Sequence, residues 1–190
     1  MCIRDRYKSV FAVILGTGVG AGYSVNKKII VGPNKLTGEW GQNPIPGPMD
    51  EYEKSVKRHC GRVGAVEVFL SGPGLENYYE HITKTKISSR DIVSLYREND
   101  LVAGEVMDVY FERIARSFST FVNILDPDVI VCGGGMSEID EIYDEVPNRI
   151  IPYIASNFFL TPIVKATHGS SSGVRGCLLY TSDAADDCEG

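Results

Sequence analysis

Two short apolar segments, each followed by a run of glycines, constrain this chain more than any other feature. Residues 9–15 (SVFAVIL) and 129–132 (VIVC) carry no charge and are rich in β-branched side chains, which is typical of strands buried within a sheet. Glycine-rich runs follow them at residues 16–22 (GTGVGAG) and 133–135 (GGG). Bare backbone at the end of a buried strand is where α/β proteins hold nucleotides, so the pair of runs predicts a nucleotide cleft.

Between the two strands lies the strongest helical pattern of the chain. Apolar side chains recur every three or four residues along residues 102–125, which predicts one long helix packed on the sheet. The other predicted elements are a hairpin at residues 23–31, two short helices within 66–82 around a Gly-Pro break, a helix to residue 96 after a Ser88 cap, a helix within 139–153 and a strand at 162–166. Together they predict an α/β fold whose sheet begins with antiparallel pairing.

Composition restricts the classes of protein. The chain has 190 residues, 43% of them hydrophobic and 23% charged, which predicts a single globular lobe or domain. Its formal charge of -6 argues against nucleic-acid binding, and no apolar run approaches the roughly 20 residues that cross a bilayer. Five irregularly spaced cysteines do not form a disulfide framework, so we expect a cytoplasmic protein with neither nucleic acid nor membrane as partner.

The two ends of the chain do not match the pattern between them. Residues 1–7 and 178–190 resemble translated sequencing-adapter sequence, with naturally frayed termini as the alternative. We therefore expect the fold to lie within residues 8–177.

Each glycine run allows two interpretations. Residues 16–20 (GTGVG) form either a cradle of backbone amides for phosphate, with Thr17 adding a hydroxyl, or a tight hairpin that needs glycine for its backbone angles. Residues 133–135 either admit an adenine or ribose or form a turn that leads into a helix. The largely irregular segment 32–64 is long enough to indicate a binding loop.

Several motifs in register resemble one known family. In chain order they are residues 11–22 (FAVILGTGVGAG), 38–44 (GEWGQNP), 67–74 (EVFLSGPG), 123–137 (NILDPDVIVCGGGMS) and 168–176 (HGSSSGVRG). Together they resemble the ROK family of sugar kinases, most closely its bacterial fructokinase type, over residues 8–177.

The resemblance implies an actin-like ATPase fold of two ribonuclease-H-like lobes, with helices on both faces of a mixed sheet. This chain would be the second lobe, and ATP and Mg²⁺ would be its cofactors. The expected substrate is a hexose, with fructose favoured over glucose, mannose and N-acetylglucosamine, and homodimer formation stays open. By the same resemblance the site residues are Gly16, Thr17, Gly18 and Gly20 for the ATP phosphates, Gly133, Gly134 and Gly135 for adenosine, and Asn34, Glu39, Gln42 and Glu67 for the sugar.

This chain departs from the family pattern in three ways. The phosphate loop and the aspartate that acts as general base would lie before residue 1, so we expect no catalytic residue in this chain and no transfer by it alone. The positions that bind structural zinc in the family are Gln42, Arg58, Cys60 and Ala65 here, which leaves one thiol and makes zinc an unexpected cofactor. Gln42 also replaces a histidine that touches the sugar in the family, so the preferred hexose is less certain than the reaction.

Two alternatives remain from other classes of protein. One is a ROK transcriptional repressor, in which a helix-turn-helix precedes the same lobes and the sugar is the inducer. The other is a degenerate lobe that binds sugar without catalysis.

Overall fold

The computed structural model describes residues 7–167, and a mixed five-stranded sheet lies at its centre. The strands are β1 (Ser9–Leu15), β2 (Val19–Val25), β3 (Lys28–Ile29), β4 (Val129–Gly133) and β5 (Ile163–Lys165). Their order across the sheet is β3-β2-β1-β4-β5, with β1 antiparallel to β2 and parallel to β4. β5 is parallel to β4, so the sheet passes from antiparallel to parallel pairing at β1. The predicted tails lie outside the described residues except for Tyr7.

The antiparallel start of the sheet is confirmed, but it begins earlier than predicted. β2 starts at Val19, directly after the first glycines, so Gly20 and Gly22 are strand residues opposite Ile14 and Ala12. The hairpin predicted at residues 23–31 is the second turn of the sheet. Its tip is Asn26 and Lys27, both with positive φ (49° and 67°), as tight two-residue hairpins require.

β1 is less buried than its apolar sequence predicts. Val13 and Leu15 are fully buried on the face that meets the long helix, whereas Ile14 on the opposite face is 37% exposed. The expectation of a strand buried within the sheet is therefore wrong for one face of this end of β1, because no element within residues 7–167 covers Ile14.

The helices follow the predicted order, and none of them within the described residues is long and apolar enough to cross a membrane. They are α1 (Glu51–Ser55), α2 (Glu67–Leu70), α3 (Gly72–Thr83), α4 (Ser89–Arg97), α5 (Leu101–Leu125) and α6 (Glu141–Arg149), with 3₁₀ turns at Glu39–Gln42, Gly135–Glu138 and Ile151–Tyr153. The side chains of Ser71, Ser88 and Asp100 each accept a hydrogen bond from an amide in the first turn of α3, α4 and α5. The break between α2 and α3 therefore lies at Ser71, and the Gly-Pro pair begins α3.

α5 packs along the sheet, as its periodicity predicted. Phe111, Ile114 and Phe118 are almost completely buried along one side of the helix. Phe121 stacks on Phe11 of β1, with ring centroids 4.0 Å apart and planes inclined by 20°. This contact joins the C-terminal half of α5 to the centre of the sheet.

A buried ion cluster joins the irregular segment to α5. Glu53 in α1 is 1% exposed, and its carboxylate accepts from Arg113 Nε at 2.9 Å and from an Arg116 guanidinium nitrogen at 3.1 Å. Arg116 also donates to the carbonyl oxygen of Pro46 at 2.6 Å, while the Arg113 guanidinium lies 4.2 Å from the ring centroid of Tyr78. The segment that was expected to be largely irregular is therefore held in one arrangement.

Replacing Glu53 tests this cluster. Glu53→Gln leaves two arginines without their buried counter-charge, so we expect it to lower the free energy of unfolding by about 3 kcal/mol or more in urea denaturation. Glu51→Gln is the matched control two residues earlier in α1, because Glu51 is exposed and its ion pair among the described residues is with the exposed Lys54. It is expected to cost less than about 0.5 kcal/mol. Equal losses for both variants would contradict the role given to the cluster.

Candidate functional site

The first glycines form the turn between β1 and β2, and two of their backbone groups are engaged. Gly16 donates to the Gly18 carbonyl at 3.0 Å, and the Gly16 carbonyl accepts from Gly72 N at 2.8 Å, where α3 begins. Within the described residues, the amides of Thr17 and Gly18 donate to no other group. The turn is a tight hairpin with free amides at Thr17 and Gly18, but Gly16, Gly18 and Gly20 all lack a positive φ, so the expected need of glycine for its backbone angles is wrong.

The second glycines have three different environments. Gly133 is the last residue of β4 and is buried beside Ile14. Gly134 has a φ of +88°, and a Cβ there would lie 2.4 Å from the Leu15 carbonyl oxygen, so close backbone packing requires glycine. Gly135 begins a 3₁₀ turn, and a Cβ on it would meet nothing within 4 Å. Only Gly135 of the three is open to a ligand.

One cavity of about 810 Å³ brings the two glycine runs together. It lies where the adjacent parallel strands β1 and β4 end, which is the edge at which α/β sheets bind ligands. The lining residues are Gly16 and Thr17 from the first run, Gly135, Met136, Glu138 and Ile139 after β4, Gly72, Pro73 and Glu76 of α3, and Ser88, Ser89, Arg90, Val93, Ser94 and Arg97 around α4. Gly20 does not line this cavity and lies within β2.

The wall made by α3 and α4 was not predicted from the sequence. Glu76 accepts a hydrogen bond from Ser89 N at 2.9 Å, which fixes the start of α4 against α3. At the other end of α4, Arg97 binds Glu141 through two hydrogen bonds of 2.7 and 2.9 Å, and its guanidinium holds the pKa of Glu141 below its usual value. The Ser88 cap was recognisable in the sequence, but no local pattern indicates that α4 folds back over the first glycines.

A second cavity, of about 630 Å³, holds two of the residues predicted to bind sugar. Glu39 and Gln42 line it together with Trp40, whereas Asn34 is exposed and lines neither cavity. The segment is held against β2 by glycines, because a Cβ on Gly38 would lie 1.8 Å from the Ala21 carbonyl oxygen. The described residues therefore do not gather all four predicted sugar ligands in one cavity.

Glu67, the fourth predicted sugar ligand, lies beside the first turn. Its Oε2 accepts from Val19 N at 3.3 Å and would be 3.0 Å from a Cβ on Gly18. Its Oε1 accepts from Arg58 Nε at 3.0 Å. Glu67 thus connects the turn predicted to bind phosphate with the loop that carries Arg58.

Within residues 7–167, no cluster of three or more His, Cys, Asp or Glu side chains is placed to hold a metal ion, at the positions that bind zinc in the family or elsewhere. Cys60 is exposed, and Arg58 contacts Glu67 instead of facing a ligand set. The Cys132 thiol is fully buried near the end of β4, and this burial raises its pKa to about 12. The motif at residues 168–176 lies outside the described residues.

The mixed sheet, the long helix across it and the cavity at the ends of β1 and β4 define one lobe of an actin-like ATPase fold. A model described as the ROK family matches residues 3–184, and the chain belongs to this family.

The chain is also similar to an individual sequence relative and to two solved structures. The chain is 37% identical over 172 residues to an N-acetyl-D-glucosamine kinase of Vibrio atlanticus (strain LGP32), covering 88% of this chain and 57% of that protein. It thus spans little more than half of the relative's length. A ROK family glucokinase from Streptomyces griseus, solved with glucose and AMPPNP, superimposes with a TM-score of 0.75 at 20% identity over 88% of this chain and 58% of its own.

The second structure is a ROK family transcriptional regulator, a homologue of the E. coli MLC protein, with a TM-score of 0.69 at 19% identity over 85% of this chain and 42% of its own. Because kinases and a regulator share the fold, the fold alone does not separate the two classes. The family prediction is confirmed, whereas the fructokinase type is not supported by the N-acetylglucosamine kinase relative.

The different environments of Gly134 and Gly135 give a paired test. Gly134→Ala forces a side chain into the Leu15 carbonyl at a positive φ, and the backbone strain alone costs about 1–3 kcal/mol. Gly135→Ala, one residue later, adds a methyl group to open space and is expected to change stability by less than about 0.5 kcal/mol. Thermal unfolding of both variants checks this, and equal melting temperatures would show that Gly134 does not pack against Leu15 as described.

Proposed function

We propose that this chain supplies the nucleotide- and hexose-binding lobe of an ATP-dependent hexose kinase. The observation that carries the proposal is the single cavity in which the turn after β1, Gly135 after β4 and the start of α3 meet. The reaction is transfer of the γ-phosphoryl group of ATP to a hexose hydroxyl, and it is proposed for a protein of the relatives' full length.

The cavity fits a nucleotide in size and chemistry. Its volume of about 810 Å³ is in the range of pockets that enclose ligands of this size. The free amide of Thr17 supplies a donor for a phosphate oxygen in this cavity. The start of the 12-residue α3 adds the positive end of the helix dipole, while its Gly72 and Gly74 amides donate to Gly16 and Ser71 within the fold. Gly135 leaves room for the nucleoside at the opposite wall.

Mg²⁺ would be held chiefly by the phosphates of the nucleotide. Two acids of the cavity are already engaged, since Glu76 accepts from Ser89 and Glu138 pairs with Lys165 at 2.7 Å. When bound, the ion would neutralise charge that develops on the transferred phosphoryl group.

The hexose is assigned to the region next to the turn, beside Glu67. A carboxylate suits hydroxyl recognition, because it accepts hydrogen bonds from two neighbouring hydroxyls and rejects analogues that lack them. We assign Glu67 to hydroxyl binding and not to proton transfer, because each of its oxygens keeps one acceptor position beside the hydrogen bonds from Val19 and Arg58. By the motif resemblance, the aspartate that takes the hydroxyl proton is assigned outside residues 7–167.

N-acetylglucosamine is the first hexose to test, because a relative with 37% identity is a kinase for that sugar. Fructose, favoured by the motif resemblance, is the second. The nucleotide cleft supports a kinase rather than a regulator, since a ligand-responsive regulator does not need a phosphate-binding turn.

Nucleotide binding by the 190-residue chain tests the proposal directly. Calorimetric titration with AMPPNP and Mg²⁺ is expected to give one site per chain, and Gly135→Leu is expected to weaken binding about tenfold or more by filling the cavity. Gly20→Leu is the matched control, because a Cβ on Gly20 also meets nothing within 4 Å but lies in β2, outside the cavity. If the wild-type chain binds hexose but does not bind AMPPNP, the kinase assignment is overturned.

Titration with N-acetylglucosamine, fructose and glucose in turn ranks the hexoses. We expect N-acetylglucosamine to bind with the highest affinity, and a clear preference for fructose would restore the fructokinase assignment. No binding by any of the three would contradict the hexose site.

A further inference from the structure

We propose that Arg58 is a positioning residue that holds the Glu67 carboxylate in the orientation required for hexose hydroxyls; this rests on the proposed function. The observation is a carboxylate clamped between a guanidinium and a strand amide, directly beside the turn predicted to bind phosphate. The role of Arg58 as a positioning group is separate from the role of Glu67 as a ligand.

Glu67 is held at two points. Its Oε2 accepts from Val19 N at 3.3 Å, and its Oε1 accepts from Arg58 Nε at 3.0 Å. An ionised carboxylate has about four acceptor positions, so one on each oxygen remains for another donor. Fixing both oxygens therefore fixes the direction of the two remaining acceptor positions.

The backbone around Arg58 is itself rigidly closed. Lys57 and Val63 form an isolated antiparallel bridge, and Arg58 N donates to the Arg62 carbonyl at 2.8 Å. Gly61 closes the turn with a φ of +84°, and its amide donates to the Arg58 carbonyl at 2.8 Å. This short hairpin is the reason that a side chain nine residues before Glu67 reaches it.

The pair lies in a partly shielded environment. The side chains of Arg58 and Glu67 are 18% and 23% exposed, so their attraction is screened less by water than that of a surface pair. Among residues 7–167, the guanidinium also makes a weak contact, to Cys60 Sγ at 3.8 Å.

Arg58 also balances the negative charge of Glu67 beside the turn. A carboxylate next to amides that receive phosphate would repel the nucleotide, since like charges at short distance disfavour each other. The Arg58 guanidinium offsets this charge without occupying the side of Glu67 that faces Val19. Arg58 therefore allows a hexose-binding carboxylate to lie close to a phosphate-binding turn.

The first test needs no ligand. Arg58→Gln releases one side of Glu67, so the hydrogen bond from Val19 N weakens and exchange of the Val19 amide with solvent, followed by NMR, is expected to rise about tenfold. Lys57→Gln is the matched control, because it removes the same charge from the neighbouring exposed position. Unchanged exchange at Val19 in Arg58→Gln would overturn the positioning role.

The second test separates positioning from general stability. Arg58→Gln is expected to weaken N-acetylglucosamine binding about tenfold and AMPPNP binding only about threefold, the smaller loss coming from the uncompensated Glu67 charge beside the turn. Arg58→Lys is expected to recover part of the hexose loss, because it keeps the charge but not the fork geometry. Equal losses for both ligands, or tighter hexose binding in Arg58→Gln, would overturn the proposal. If wild-type chain binds neither ligand, the proposed function fails, while amide exchange at Val19 still decides whether Arg58 holds Glu67.

Discussion

The segment between β3 and α2 is tied to α5 by one buried carboxylate. Glu53 accepts from Arg113 and Arg116, two residues of the same face of α5, and Arg116 also donates to the carbonyl of Pro46. Burying three charged groups is tolerable only when each one is paired, so this arrangement has little freedom to vary. It ties the segment before the Arg58 hairpin to the helix that packs on the sheet. The Arg58 hairpin follows α1 directly, so its placement depends in part on this cluster.

The elements that local patterns encode were predictable. β1, β4 and α5 were predicted nearly to their observed ends, because an apolar β-branched run and a three-to-four-residue period are properties of neighbouring residues. The 3₁₀ turn at Glu39–Gln42 and the short α1 were missed, because a single turn is too short to show a period. α1 was nevertheless signalled by a capping box, in which Asp50 and Glu53 bind each other's amides.

The candidate site was predictable only in part, for a different reason. Both glycine runs were identified, and they do line one cavity through Gly16, Thr17 and Gly135. The wall formed by α4 and the Arg58–Glu67 pair depend on contacts between segments distant in sequence or on the shape of a turn. A hydrogen bond such as that between Arg58 and Glu67 produces no periodic pattern in the sequence, so composition and spacing do not predict it.

Glycine serves opposite purposes within the same motifs. Gly38 and Gly134 are required because a Cβ would strike the carbonyl oxygens of Ala21 and Leu15, so their effect on a ligand is indirect. Gly135 has open space at its Cβ position and faces the cavity, where the absence of a side chain leaves volume for a ligand. Tight packing at Gly134 brings the ends of β1 and β4 together, and that approach is what places Gly135 opposite the turn at Gly16. In the run after β4, Gly134 therefore allows close packing of the backbone against Leu15, and Gly135 leaves the cavity open.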